Sequence, residues 1–171
     1  MPLRSDWSQR PCPIARGLET FGDPWSMMVL REIFFGNNRF TAIKERLQVA
    51  DTVLSKRLAG LCEAGLLERR KYDGGQRSRL EYVLTEAGAD ALPIFNALTL
   101  WSEKHLNPPS DQAHMYLLHR DCGQRSNSAE RCEHCGTELT ARNTSWHSLT
   151  RSEQPIPLDL ALAGTAQGSA A

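Results

Sequence analysis

Residues 40–65, FTAIKERLQVADTVLSKRLAGLCEAG, contain the pattern that decides the fold. Leu54, Leu58 and Leu61 recur at spacings of four and three residues, which predicts a helix with one apolar face. A two-turn helix is predicted just before it, spaced by Phe40, Ile43 and Leu47. The break at residues 48–51 then predicts a turn between the two, so the stretch indicates a helix-turn-helix.

The segments on either side extend this prediction. Two helices are expected upstream, beginning at Pro13 and Pro24, because proline suits the first helical position. Downstream, residues 67–72 and 80–84 read as short strands around the Gly-rich, Arg-bearing residues 73–78. Two such runs around a flexible tip predict a β-hairpin.

A last helix is expected after the hairpin, entered at Thr85-Glu86 and continuing through Trp101. Pro93 lies inside this pattern, so the helix either kinks or restarts there. The predicted fold is mainly α with a small β-hairpin wing, an α+β winged helix-turn-helix with a small Cys/His module at its C-terminal end. The expected boundaries are 1–10 for an N-terminal arm, 11–106 for the winged helix-turn-helix, 107–118 for a linker, 119–146 for the Cys/His module and 147–171 for a disordered tail.

The second helix of the pair has an outer face suited to the DNA major groove. On a wheel of about 3.6 residues per turn, the inward leucines leave Thr52 and Lys56 outward, with Ser55 and Arg57 on opposite flanks. Small and polar outward residues near a helix start can reach base edges. We therefore predict base contacts for Thr52, Ser55 and Lys56, and for Arg57 either a phosphate or a neighbouring acid.

The charge distribution agrees with a polyanionic partner. The whole chain has 20 basic and 20 acidic residues, whereas residues 39–79 contain ten Lys/Arg against five Asp/Glu. A local basic patch attracts phosphate, although a solvated face of mixed charge looks similar. Arg77 and Arg79 on the hairpin are expected to lie along the DNA backbone or in the minor groove.

Several segments resemble a known family. In chain order they are Cys12-Pro13-Ile14, Asp23-Pro24-Trp25, Leu54-Ser55-Lys56-Arg57-Leu58, Ala64-Gly65-Leu66, Tyr82-Val83-Leu84-Thr85-Glu86-Ala87-Gly88 and Trp101. Over roughly residues 11–106 the chain closely resembles the HxlR-type winged-helix regulators, which are relatives of MarR-like proteins.

The resemblance implies a function and an assembly. HxlR-type proteins are DNA-binding repressors or activators that act as homodimers, through their first helix and the helix after the wing. By resemblance, the subunit interface would include Ile14, Leu18, Phe95, Leu98 and Trp101. A dimer of this size would read an inverted repeat, with half-sites about 34 Å apart, and a small-molecule effector is compatible with the family.

The C-terminal part contains a pattern of metal ligands. His119, Cys122, Cys132 and Cys135 form H-x2-C-x9-C-x2-C, with Gly123 and Gly136 directly after two of the cysteines. Such knuckles can present four ligands tetrahedrally, and a closed site of one imidazole and three thiolates indicates structural Zn²⁺. Iron, free thiols or a redox pair are the alternatives, and His114 and His134 are substitutes for His119.

The two remaining cysteines have different surroundings. Cys12 is expected at or next to the start of the first helix, with Arg10 and Arg16 nearby. A helix N-terminus and neighbouring cations stabilise a thiolate, so Cys12 is a candidate redox sensor. Some family members also use an N-terminal cysteine in this way. The alternative is a plain small residue at a dimer interface, while Cys62 is expected to be buried and inert.

Other classes of protein find little support. The N-terminal MPLRSDW lacks the apolar run of a signal peptide, and no stretch approaches the roughly 20 apolar residues of a membrane span, so a cytoplasmic protein is expected. The sequence has no Ser/His/Asp order, phosphate-binding Gly loop or open metal triad, and we therefore expect no enzyme. A winged-helix interaction module that reads no bases stays the alternative.

Overall fold

The computed structural model describes residues 7–72 and 79–162. The helices within these ranges are α1 (Pro13–Phe21), α2 (Pro24–Phe34), α3 (Phe40–Leu47), α4 (Asp51–Glu63), α5 (Glu86–Ala89) and α6 (Leu92–His105). The strands are β1 (Leu67–Tyr72), β2 (Arg79–Leu84), β3 (Met115–His119), β4 (Arg125–Ser126), β5 (Thr144–Ser148) and β6 (Ile156–Pro157), followed by a 3-10 helix (Leu158–Ala161). None of the described helices has the length and apolar character needed to cross a membrane.

The predicted helix-turn-helix is present between residues 40 and 63. The inward residues of α4 are buried, with Leu54 and Leu58 at 0% exposure, and they pack in one core with Ile43 of α3. The turn between α3 and α4 is tight because Gln48 adopts a left-handed conformation, φ 50°. At the start of α2, Asp23 accepts a hydrogen bond from the Ser26 amide at 3.0 Å, which caps this central helix as expected.

The predicted hairpin is confirmed, and its tip at residues 73–78 lies outside the described residues. β1 and β2 pair antiparallel, with Leu67 opposite Leu84 and Tyr72 opposite Arg79. Gly65, with φ 73°, turns the chain from α4 into β1, which a glycine permits without steric cost. After β2, the helix pattern is interrupted: α5 ends at Ala89 and α6 restarts with Pro93 in its first turn.

The C-terminal part is larger and more ordered than the sequence predicts. Four strands form a sheet in the order β4-β3-β5-β6, which we call the C-terminal sheet. Its strand β3 begins at Met115, so the expected linker at 107–118 is too long, and β5 and β6 extend beyond the expected end of the module at residue 146. The sheet is not a separate module, because Trp146 of β5 belongs to the same core as α2 and α6.

The expected disordered tail at 147–171 is wrong for residues 147–162. The 3-10 helix packs against α2, with Leu158 and Ala161 at 0% exposure and Leu162 at 5%. Leu162 also forms a parallel bridge to Leu84 of the wing. Ala-rich composition misled the prediction, since these few apolar residues are enough to anchor the segment. The remaining residues, 163–171, lie outside the described part of the chain.

Candidate nucleic-acid interface and metal centre

Helix α4 presents its polar face to solvent. Thr52, Ser55 and Lys56 are exposed, while the leucines on the opposite face are buried. This orientation is the one that the helical wheel predicts. The three side chains therefore project from a helix whose position is fixed by the core behind it.

Two of the cations around α4 are engaged with acids. Arg57 Nη2 lies 2.8 Å from Asp23 Oδ2, which is the neighbouring-acid alternative of the sequence analysis. Lys44 Nζ lies 2.6 Å from Asp51 Oδ1 and so ties the end of α3 to the start of α4. Within the described residues Lys56 has no ion-pair partner, so its charge is available to a ligand.

A polar network that the sequence analysis missed fixes the wing to the helices. Glu81 of β2 is only 4% exposed, and it accepts hydrogen bonds from Arg70 Nε at 2.7 Å and Asn38 Nδ2 at 3.1 Å. Arg39 forms a bridge to Glu81 through its backbone and places its guanidinium 4.2 Å from the centre of the Tyr72 ring. These contacts join the wing to the segment between α2 and α3, and the strands of the wing pack beside α3 and α4.

The two wing arginines, Arg77 and Arg79, lie at the edge of the described residues. Arg77 lies outside the described residues. Arg79 is the first residue of β2, opposite Tyr72, and its side chain is outside the described part. Contacts of both with DNA stay predictions.

The four predicted metal ligands come together at one point. The ligand atoms of His119, Cys122, Cys132 and Cys135 all lie within 4.8 Å of one another, and we call this group the Cys/His cluster. His119 Nδ1 lies 3.2 Å from both Cys122 Sγ and Cys135 Sγ, and Cys122 Sγ lies 3.6 Å from Cys132 Sγ. Tetrahedral zinc with Zn–S bonds of about 2.3 Å requires sulfur–sulfur separations of about 3.8 Å. The cluster therefore fits a tetrahedral ion.

Two tight turns create this arrangement. Gly123 and Gly136 have φ values of 68° and 73°, a left-handed conformation in which glycine is unstrained. Their amides donate to the carbonyls of His119 and Cys132, at 2.9 and 2.8 Å. Each turn folds a two-residue gap so that both flanking donors face the same point. The spacing of the motif is thus explained by its backbone.

The surroundings of the cluster also suit a metal. His119 is 1% exposed, and its Nε2 faces Asp121 Oδ2 at 3.4 Å, so a carboxylate backs the ring on the side away from the thiols. Hydrogen bonding to Thr137 lowers the pKa of Cys135 to about 6, which favours the thiolate that a metal binds. His114 lies elsewhere, with its Nδ1 2.6 Å from Glu103 Oε2, and His134 is exposed.

Cys12 and Cys62 lie apart from the cluster. Cys12 is exposed and occupies the N-cap position of α1, without a side-chain capping hydrogen bond. The nearby Arg16 donates through Nη1 to the carbonyls of Arg10 and Pro11, at 2.8 and 3.0 Å. Cys62 is half-buried, so the expectation of a fully buried side chain is wrong. Burial raises the pKa of its thiol, which disfavours a reactive thiolate.

Helices α1 and α6 share an exposed apolar character. Ile14 is 74% exposed, Leu18 46%, Leu98 52% and Trp101 55%. Phe95 was expected in the same interface, and this expectation is wrong. Its ring is 5% exposed and packs against Phe34 with the ring centres 5.2 Å apart, so it serves the core of its own chain.

Sequence comparisons match this chain to helix-turn-helix proteins, in agreement with the fold described above. The model of the HxlR-like helix-turn-helix family matches residues 20–110. The Mycobacterium tuberculosis protein Rv3095, named as an uncharacterized HTH-type transcriptional regulator, is 38% identical over 132 residues, 77% of this chain and 82% of its own length. A regulator of the same description from Methanothermobacter thermautotrophicus is 30% identical over 95 residues, 55% of this chain and 72% of its own.

Solved structures give the same result. PA1607, provisionally assigned as a transcription factor, has a TM-score of 0.65 and 34% identity, over 79% of this chain and 93% of its own. A provisionally assigned MarR-family regulator from Porphyromonas gingivalis has a TM-score of 0.50 and 25% identity, over 58% of this chain and 97% of its own. From the family match, the relatives and the shared fold, the chain belongs to the HxlR-like helix-turn-helix family of transcriptional regulators.

Proposed function

We propose that the protein regulates transcription by binding double-stranded DNA as a homodimer, with α4 in the major groove. The observation that carries this proposal is the division of α4 into a buried leucine face and an exposed face bearing Thr52, Ser55 and Lys56. A groove-reading helix needs this division, because one face must anchor it while the other meets base edges.

The roles of the individual side chains follow from their partners. Lys56 has no ion pair within the described residues, so it is the α4 cation best placed to meet a base edge or a phosphate. Arg57 is held by Asp23 at 2.8 Å and would either position α4 or exchange this partner for a phosphate. Arg77 and Arg79 of the wing would contact the backbone or the minor groove beside the same site.

The dimer is proposed to form through α1 and α6. Both helices expose apolar side chains, Ile14 and Leu18 on α1 and Leu98 and Trp101 on α6, which a subunit interface would remove from water. A two-fold dimer would present two copies of α4 to successive major grooves, about 34 Å apart. An inverted repeat is therefore the expected operator.

The Cys/His cluster is proposed to hold one structural Zn²⁺. Its donor set is closed, with one imidazole and three thiolates, so no position is left for a substrate. When bound, the ion would contribute folding free energy to this part of the chain. Metal analysis of the purified protein should find one zinc per chain, and iron in its place would contradict the choice of metal.

The proposal can be tested by selecting DNA fragments that the full chain retains and then comparing variants on the selected sequence. Lys56→Ala should weaken binding by about 1–3 kcal/mol, roughly 5- to 160-fold, and relax the sequence preference. Arg142→Ala is the matched control, because Arg142 is also exposed but belongs to the C-terminal part. Electrophoretic mobility shifts at fixed salt measure both.

The rival hypothesis, an interaction module that reads no bases, makes the opposite prediction. DNA binding through phosphate contacts must weaken steeply as salt rises, because counterions are released. The DNA proposal is wrong if no genomic fragment is enriched, or if Lys56→Ala and Arg142→Ala have the same small effect. A protein that is monomeric at micromolar concentration would contradict the inverted repeat and the dimer.

A further inference from the structure

A cavity of about 540 Å³ lies where α2 and α6 meet the C-terminal sheet. Its volume falls in the range of small-molecule sites, roughly 300–1,000 Å³. The apolar part of its wall includes the partly exposed Met28 and Met115, next to the buried rings of Phe35, Phe95 and Trp146. Because Trp146 lies beyond residue 110, this cavity needs a part of the chain that the matched family segment does not contain.

Arginine side chains form the polar part of the wall. Arg31, Arg46 and Arg151 all line the cavity. Arg151 is committed to the buried Glu32, since both of its terminal nitrogens donate to that carboxylate. Arg31 donates only through Nη2, at 2.6 Å, to the same carboxylate. Within the described residues Arg46 has no ion pair, so Arg31 and Arg46 retain donors that the protein does not use.

Glu103, the carboxylate among the described lining residues, contacts neither Arg31 nor Arg46. Glu103 contacts His114 Nδ1 through Oε2 at 2.6 Å, and it accepts the Met115 amide through Oε1 at 2.8 Å. Both of its oxygens are therefore used to fix β3 to α6. The Arg151–Glu32 pair is neutral as a unit, so outside that pair the cavity has two cations, Arg31 and Arg46, and one carboxylate, Glu103, an excess of one positive charge.

We propose that this cavity binds a small aromatic carboxylate, with the ring against the partly exposed Met28 and Met115 and the carboxylate on Arg31 and Arg46. An apolar wall with a few convergent donors is the usual construction of a ligand site. Guanidinium groups match the geometry of a carboxylate, and a partly desolvated site strengthens the pairing. A monoanion balances the excess charge, whereas a neutral ring would leave both arginines without a new partner.

Calorimetric titration of the full chain with 2-naphthoate tests the proposal, and 2-naphthamide serves as the neutral ligand of the same shape. We expect 2-naphthoate to bind at least tenfold more tightly than 2-naphthamide. Arg31→Gln and Arg46→Gln should each weaken 2-naphthoate at least fivefold and leave 2-naphthamide unchanged. Lys104→Gln is the matched control, because Lys104 is an exposed cation of α6 that does not line the cavity. Ser102→Phe, which fills the cavity, should abolish both titrations.

Three results would overturn the proposal. The first is that millimolar 2-naphthoate produces no heat of binding. The second is that 2-naphthoate and 2-naphthamide bind with equal affinity. The third is that Arg31→Gln and Arg46→Gln bind 2-naphthoate as tightly as Lys104→Gln does. A second copy of the chain is the rival occupant: if Ser102→Phe makes a dimeric protein monomeric, the cavity belongs to the subunit interface. An effect of the bound aromatic carboxylate on DNA affinity would rest on the proposed function. The titrations are done without DNA, so they test ligand binding separately from DNA binding.

Discussion

The two ends of the molecule are stabilised by different means. In the winged helix, residues 13–105, long apolar side chains from α2, α3, α4 and α6 fill a continuous core. Around the Cys/His cluster, residues 119–141, the buried side chains of apolar character are Cys132, Leu139 and Ala141. The first region can fold by burying surface, whereas the second lacks enough apolar area to order its own turns.

Strand β5 joins the two regions, which are stabilised in different ways. Its Trp146 is 0% exposed and packs on two rings of the winged helix. The centre of the Trp146 ring lies 5.4 Å from that of Phe34 and 5.1 Å from that of Phe35. The base of the C-terminal sheet therefore belongs to the core of the winged helix, whereas its tip would be ordered by the proposed metal coordination. The alignment with Rv3095 spans 132 of the 171 residues, so it must reach at least residue 132 and therefore continues into this region.

Removing the proposed zinc ion is expected to have the largest effect on stability and to act on only one of the two regions. Structural zinc in small sites contributes roughly 10–16 kcal/mol of binding free energy. A chelator, or Cys132→Ser, should therefore release one zinc per chain and expose amides such as that of Gly136 to hydrogen exchange. Amides of α2 and α4 should keep their protection, and hydrogen-exchange mass spectrometry measures both.

Cys62→Ser is the matched control for Cys132→Ser, because Cys62 lies in α4 outside the cluster. It should retain the metal and the protection of residues 119–141. If Cys132→Ser left those residues protected, the cluster would not depend on coordination. If it unfolded α2 and α4 as well, the proposed difference between the two regions would be lost.

Truncation of the tryptophan between the regions should give the second largest effect. Trp146→Ala removes a fully buried ring whose Nε1 donates to Asn96 Oδ1 at 3.0 Å, so a destabilisation of about 3–5 kcal/mol is expected. Trp25→Ala should cost much less, since Trp25 is 40% exposed. Urea unfolding followed by circular dichroism compares the two, and equal shifts of their midpoints would argue against a shared core.

The ion pair between the buried Glu32 of α2 and Arg151 also joins the C-terminal part to the winged helix, and its contribution to stability depends on pH. Burial raises the pKa of Glu32, but hydrogen bonds from Arg151 and Arg31 outweigh it and lower the pKa from 4.5 to about 2. Because the folded-state pKa is depressed, the stabilisation is present above pH 4.5 and is lost as the pH falls towards 2. At about 1.4 kcal/mol per unit, the ionised form gains about 3 kcal/mol from the fold.

Glu32→Gln measures this contribution. The variant should be less stable than the wild type at pH 7, and the difference in unfolding free energy should shrink between pH 4.5 and 2. Urea titrations at several pH values give the curve. A difference that stayed constant across this range would mean that the carboxylate charge does not connect α2 to Arg151.

The sequence predicts the features of both regions that arise from near neighbours. The leucines of α4 and the Cys-x2-Cys spacing are local patterns, and both appear in the structure as expected. The interactions that join the regions are not local: Glu32 and Arg151 are 119 residues apart, and Trp146 and Asn96 are 50 apart. No periodicity links such pairs, so the ordered tail, the cavity and the position of Phe95 could not be predicted.

The smallest expected effect on stability is that of Cys12→Ser. Cys12 is exposed at the start of α1, so its replacement should change the free energy of unfolding by about 0.5 kcal/mol or less. If Cys12 is the predicted sensor, however, treatment with diamide should change the DNA affinity of the wild type and leave that of Cys12→Ser unchanged. Zinc content must be followed in parallel, because the thiolates of the Cys/His cluster also react with oxidants. If both proteins respond equally and release zinc, the oxidant reacts with the Cys/His cluster, and Cys12 is not the sensor.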